Sequence, residues 1–146
     1  MAIFSSINIS STALTAEKTR IDIIAKNMAN ANTTRTTGGT PYRRQMVVFE
    51  ESKSDPFSKY LDKHINKING QGVKISKIVE DESPFKLVYE PGHPDADENG
   101  YVRMPNVDIM KEMVDLISAQ RSYDANITAI NTSKSMLMKA LEIGRR

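Results

Sequence analysis

No cysteine occurs anywhere in the chain, which excludes disulfides and thiolate chemistry and fits either a reducing cytosol or an exported protein that folds without oxidation. No stretch approaches the roughly 20 apolar residues that a membrane-crossing helix needs, so direct membrane insertion is not expected. The opening MAIFSSINISSTALTAEK lacks the positive n-region and continuous apolar core of a secretory signal, which argues against export by a cleaved leader. An excess of one charge is missing too. Twenty basic residues face eighteen acidic ones, so there is no global field to hold nucleic acid or an anionic membrane. Histidine is scarce: His64 and His93 stand 29 residues apart, with no arrangement around them that suggests a catalytic triad or a two-histidine metal site. Arg43-Arg44 is too short for a nucleic-acid patch. Gly38-Gly39 and Gly70-Gln71-Gly72 form neither a phosphate loop nor a dinucleotide fingerprint and read as turns. No enzymatic activity, cofactor, metal or small-molecule substrate is expected.

What is present is organised by charge and by period. The 146 residues amount to about one domain. Residues 1–34 carry only Glu17, Lys18, Arg20, Asp22 and Lys26 as charged side chains, whereas residues 35–104 carry eleven basic and eleven acidic ones. Within the first zone Ile3, Ile7, Ser10, Leu14, Glu17, Ile21, Ile24, Met28 and Ala31 repeat at 4,3 spacing, the seam of a helix that pairs with helices. The same spacing returns at Ile109, Met113, Leu116, Gln120, Tyr123, Ile127, Ile130, Lys134, Leu137, Leu141 and Gly144. Asp108, Glu112 and Asp115 near its start and Lys139, Arg145 and Arg146 near its end match the helix dipole, and Pro105-Asn106 marks its beginning. Because the two stripes share a period, they are expected to contact each other within one subunit, with Leu14 or Ile21 near Ile127 or Ile130.

The middle predicts three short strands: Tyr42 to Glu50 after a Gly-Gly-Thr-Pro turn, the alternating Val73, Ile75 and Ile78, and Phe85, Leu87 and Tyr89 on one face. Residues 51–71 show no period and read as an irregular insertion that Phe57, Tyr60 and Leu61 could anchor. The expected fold is α+β: long N- and C-terminal helices, 1–34 and 105–146, pair as a coiled-coil-like helical domain. A small β-rich domain, 35–104, is inserted between them.

One stretch invites a chemical reading. In HPDADENGYVRMPN, Asp95, Asp97, Asn99 and Gly100 fall on positions 1, 3, 5 and 6 of an EF-hand calcium loop. Position 12 is Asn106 instead of a bidentate Glu, and Glu90-Pro-Gly-His-Pro94 cannot be the incoming helix. An acidic, solvated turn without calcium is the expectation, with a calcium-responsive helical adaptor as the alternative function. The methionines, Met104, Met110, Met113, Met136 and Met138 among them, read as adaptable packing.

The helix flanks are unusual. IAKNMANANTT and ANITAINTS are built of Ala, Ser, Thr and Asn, small groups that let helices approach closely and hydrogen-bond across a contact. Asn27, Asn30, Asn32 and Thr33 are therefore expected to lie between subunits of an assembly, beside the seam residues Ile7, Leu14, Ile21, Ile24 and Met28. With too little apolar area to fold alone, the N-terminal segment is expected to order only on assembly.

These residues also carry a resemblance. LTAEKTRIDIIAKNMANANTT resembles the N-terminal motif of the bacterial flagellar axial proteins of rod and hook type, whose Asn-x-Ala-Asn-x-x-Thr element matches Asn27, Ala29, Asn30 and Thr33, with Thr34 following. EMVDLISAQRSYDANITAINTSKSMLMKALEIGRR is similar to their C-terminal motif at Met113, Val114, Gln120, Arg121, Tyr123, Ala125 and Asn126. GGTPYRRQMVVFEE and PFKLVYEPGHPDADENGYVRMPNVD are similar to the proximal-rod members. The resemblance implies a structural rod subunit whose terminal helices pack around an export channel. Its partners would be other rod proteins and its own copies. It would be exported by the flagellar type III apparatus.

Overall fold

The computed structural model describes residues 2–52 and 72–144, and side chains from Phe4 onward. Phe57, Tyr60, Leu61, His64 and Gly70, and nearly all of the segment read as irregular, lie outside the described residues, as does the side chain of Ile3. In chain order the elements are α1 (Ala2–Ala29), β1 (Gln45–Glu51), β2 (Val73–Glu80), β3 (Lys86–Tyr89), β4 (Tyr101–Met104) and α2 (Ile109–Gly144). The fold is α+β, with a helix at each end of a β-rich middle of two two-stranded sheets, β1 with β2 and β3 with β4.

Neither helix is interrupted by proline, and glycine appears only as the last residue of α2. Their threonines bond back to the preceding turn. Thr15 donates to the Ser11 carbonyl, Thr19 to Thr15, Thr128 to Asp124 and Thr132 to Thr128, at 2.8 to 3.2 Å. This is how a hydroxyl is accommodated inside a helix. The start of α2 lies past Pro105-Asn106: Asp108 is its N-cap, accepting the Met110 amide at 3.0 Å.

β4 corrects the three-strand expectation. Its four residues, Tyr101–Met104, lie within the acidic stretch of the sequence and are too few to show a period. The Asp97 carboxylate accepts the amides of Asn99 and Tyr101 at 3.0 and 2.9 Å, and Gly100 takes a left-handed φ of 79°. The chain thus turns back on β3, with Tyr89 opposite Tyr101 and Lys86 opposite Met104. A side chain at Gly100 would also meet the Tyr89 ring at 3.0 Å, so glycine is required there twice over. β1 in turn starts at Gln45 rather than Tyr42, because the amides of Tyr42 and Arg44 are bonded to Thr33 and Asn106 instead of a strand.

Contacts divide the chain into two compact units. One comprises Met1–Thr19, Phe49–Ser76 and Ala119–Arg146. In it Ala16 and Ala119 are buried, and the Ser6 and Ser133 hydroxyls, one on each helix, are 3.4 Å apart. Gly72, expected as a turn residue, has another role there. An added Cβ would fall 2.0 Å from the Thr12 hydroxyl, which accepts the Val73 amide at 3.2 Å. The residue lets the backbone lie directly on α1.

The other unit comprises Arg20–Val48 and Lys77–Ser118. Ile24, Tyr42, Val102, Pro105 and Val107 are buried in it, together with two polar side chains, Asn27 and Glu112.

Candidate functional site: a buried polar lock and the helix faces it leaves open

Asn27, in the last turn of α1, is 1% exposed. Its amide nitrogen donates to the Gln45 carbonyl and to Glu112 Oε2, and its oxygen accepts from the Tyr42 hydroxyl and the Gln45 amide, all at 2.9 Å. A primary amide has two donors and two acceptor positions, so Asn27 is fully engaged inside its own chain. It bonds both backbone groups of Gln45 as a neighbouring strand would. Asn27, expected to lie between subunits, makes these hydrogen bonds within its own chain. Asn30 donates to the Lys26 carbonyl at 2.9 Å and accepts from Thr33 at 3.2 Å, closing the end of α1, while Asn32 is exposed.

Glu112 joins the lock to Arg44. The guanidinium Nε donates to Glu112 Oε1 at 2.6 Å, Nη2 reaches Asp115 at 3.3 Å, and Nη1 lies 3.8 Å from Asp81. Glu112 has no exposed surface and Arg44 little. Buried charge is tolerable only when paired and hydrogen-bonded. Asn106, at position 12 of the EF-hand-like stretch, accepts the Arg44 amide at 2.8 Å and donates to the Asp81 carbonyl and the Ser83 hydroxyl at 3.0 and 2.9 Å. Arg43 lies over the Phe85 ring, 4.4 Å from its centre, and donates to the Asp81 carbonyl. Both arginines of the basic pair are thus structural.

Two groups titrate abnormally here. Burial, and then the carboxylates of Glu112 and Glu80, push the Tyr42 hydroxyl above its ordinary pKa. Bonds from the Ser83 amide and hydroxyl hold the Asp81 carboxyl below its usual range, helped by the charges of Arg44 and Lys111.

The acidic loop is likewise committed to protein groups. Asp95 accepts the Thr34 hydroxyl at 2.8 Å and pairs with Arg35 at 3.4 Å, and Asp97 caps its own turn. Among the described residues no three His, Asp or Glu side chains are placed to share a metal. Nothing supports the calcium adaptor.

The expected interface residues fall into two sets. On α1, Ile24 is buried with Asn27, and Ile7, Leu14, Ile21, Met28 and Thr33 are half-buried. On α2, Leu116, Tyr123, Asn126, Ile130 and Leu137 are half-buried; Met113, Gln120, Arg121, Ile127 and Leu141 are exposed. The face α2 turns inward runs Glu112, Leu116, Ala119, Tyr123, Asn126, Ile130, Ser133 and Leu137, itself at strict 4,3 spacing. The single seam read from sequence had merged two faces. Sequence reading missed Tyr42, Arg44 and Glu112 as a group. The one available signal was a carboxylate, Glu112, in register with the inward stripe.

Comparison with known proteins places these features. A family model described as flagella basal body rod protein matches residues 7–35, most of α1 and its C-terminal turn. One described as flagellar basal body rod FlgEFG protein C-terminal matches residues 98–143, β4 and α2. Flagellar basal-body rod protein FlgC of Bacillus subtilis is 52% identical, over 99% of this chain and 100% of that protein. The protein of that name from Borreliella burgdorferi is 50% identical over 98% of both chains, and that from Salmonella typhimurium 44% over 99% and 100%. With nearly its whole length aligned at such identities, the chain belongs to the FlgC family of flagellar basal-body rod proteins.

Proposed function

We propose that this chain, a structural subunit of the basal-body rod, acts in the proximal rod as a torque-transmitting element and as part of the wall of an export channel. Residues 1–34 with 105–146 form its rod-core part and residues 35–104 an outer part. The observation that carries the reading is on α2, where Ile109, Met110, Met113, Val114 and Ile117 are all exposed on one side of a helix. Apolar stripes of this kind mark contact surfaces. A chain of rod relatives has an evident use for one, since stiffness in a shaft comes from packed helices.

Its partners are other rod proteins and further copies of itself, and it reaches the rod through the flagellar type III apparatus. The test is to delete its gene and isolate basal bodies. Loss of swimming and of the rod, restored by the intact chain, which then appears in the basal-body fraction, is the expected result. Normal rods and swimming in the deletion would refute the proposal.

A further inference from the structure

Among the described residues, β3 is the strand with every side chain exposed, Leu87 and Tyr89 at 64% each and Val88 at 36%. It belongs to a sheet of two strands, so one of its edges faces no strand. The Glu90 amide donates to the Gly100 carbonyl, and in an antiparallel ladder bonded and unbonded pairs alternate. Lys86 and Val88 therefore bond β4, while the N–H and C=O of Leu87 and Tyr89 point away from it. On the β4 side Asp97 bonds both outward groups of Tyr101, accepting its amide through the carboxylate and donating to its carbonyl, each at 2.9 Å. The outward groups of Leu87 and Tyr89 meet no partner among the described residues. An open edge of this kind is a template for another strand.

The stretch Lys86-Leu87-Val88-Tyr89-Glu90 is its own complement when run antiparallel. Centred on Val88, such a pairing sets Leu87 opposite Tyr89 of a second copy, twice over. These are the residues with free outward groups, so each pair exchanges two backbone hydrogen bonds, and the leucine and tyrosine side chains meet across the strands. The same register sets Lys86 opposite Glu90 at both ends. Neither has an ionic partner among the described residues: Lys86 donates only to the neutral Val107 carbonyl, at 2.8 Å, and the Glu90 carboxylate is unbonded. Opposite charges facing each other across strands stabilise the pairing. A slip of two residues in either direction loses both ion pairs, and parallel pairing would set Lys86 beside Lys86.

We propose that, in the unassembled chain, β3 pairs antiparallel with β3 of a second copy to make one four-stranded sheet, β4-β3-β3-β4, about a two-fold axis at Val88. The contact is isologous and closes on a pair, so it is separate from the contacts that extend a rod. Five residues a side fall well short of the roughly 20–30 of a standard interface, so the pair is weak and forms where free chain is concentrated. There it covers an edge that would otherwise recruit other strands.

The purified full chain has no cysteine, so introduced thiols report the register. Val88→Cys puts two thiols on the axis, with Cα atoms about 4.5 Å apart, inside the range a disulfide spans. Leu87→Cys and Tyr89→Cys each lie a diagonal step from their own copies, at about 7–8 Å. Under mild oxidation of concentrated protein, Val88→Cys is expected to form about tenfold more dimer than either of these alone, while a mixture of the two exceeds both. Sedimentation of the parent at rising concentration is expected to show a dimer that Glu90→Lys weakens and Lys86→Glu combined with Glu90→Lys restores. Equal self-cross-linking at the three positions would overturn the proposal. So would a parent that stays monomeric at every concentration, or a dimer that Glu90→Lys leaves unchanged. Because the measurements are made on free chain, none of these outcomes bears on the rod reading.

Discussion

Asn27 shows how much one side chain can be asked to do. Four hydrogen bonds converge on it in a site with almost no solvent, so replacing it with alanine strands the Tyr42 hydroxyl, both Gln45 backbone groups and a Glu112 oxygen. Each stranded group costs roughly 1–3 kcal/mol. Asn27→Ala is therefore expected to lower monomer stability by several kcal/mol in denaturant melts, whereas Asn30→Ala stays near neutral because alanine is the better helix former. Equal effects would contradict the lock. Sequence alone marked Asn27 as odd for a helix but could not reveal its role, since Glu112 is 85 residues away. The titrations add a second check. Tyr42 has a raised folded-state pKa, so its contribution is present below the unfolded value of about 10 and lost as pH rises through the folded one. Asp81, held low, contributes above about pH 4 and loses that contribution as pH falls through its folded value. Tyr42→Phe is expected to flatten the alkaline limb of a stability–pH curve relative to the parent, and Asp81→Asn the acid limb.

At the scale of elements, the two helices were legible because long runs free of proline and glycine carry a strong period. The face of α2 was not, because two 4,3 stripes run side by side along it and the apolar count favoured a mixture of them. The inward stripe holds Glu112, Asn126 and Ser133, residues that periodicity arguments discard. Arg44 ties three elements at once: the approach to β1, the end of β2 through Asp81, and the root of α2 through Glu112. Arg44→Met leaves a fully buried carboxylate without its charge partner, for which a loss of about 3–5 kcal/mol is expected. Melts of the purified chain measure it, and a change under about 1 kcal/mol would mean the pair is incidental. Gly72 seats the chain entering β2 directly on α1. Gly72→Ala drives a methyl into Thr12 and is expected to cost about 1–3 kcal/mol. Adding Thr12→Ala removes the nearest atoms and is expected to restore part of it.

For the whole molecule, the buried contacts and the open ones divide the work. Polar groups fix the chain's own fold within Arg20–Val48 and Lys77–Ser118, and the apolar stripe at the start of α2 stays exposed, the surface proposed for rod contacts. The rod character was legible from two terminal motifs because each sits on one helix, within reach of local pattern. The lock was not, because it is assembled from segments that meet only in the fold. The most direct test of the account is incorporation of Met113→Asp into basal bodies. Met113 is exposed, so a surface substitution there leaves monomer stability within about 0.5 kcal/mol, yet it sets a charge in the middle of the stripe. The account predicts a chain that melts like the parent but is missing from isolated basal bodies, in cells that do not swim. Full incorporation with normal swimming would contradict it.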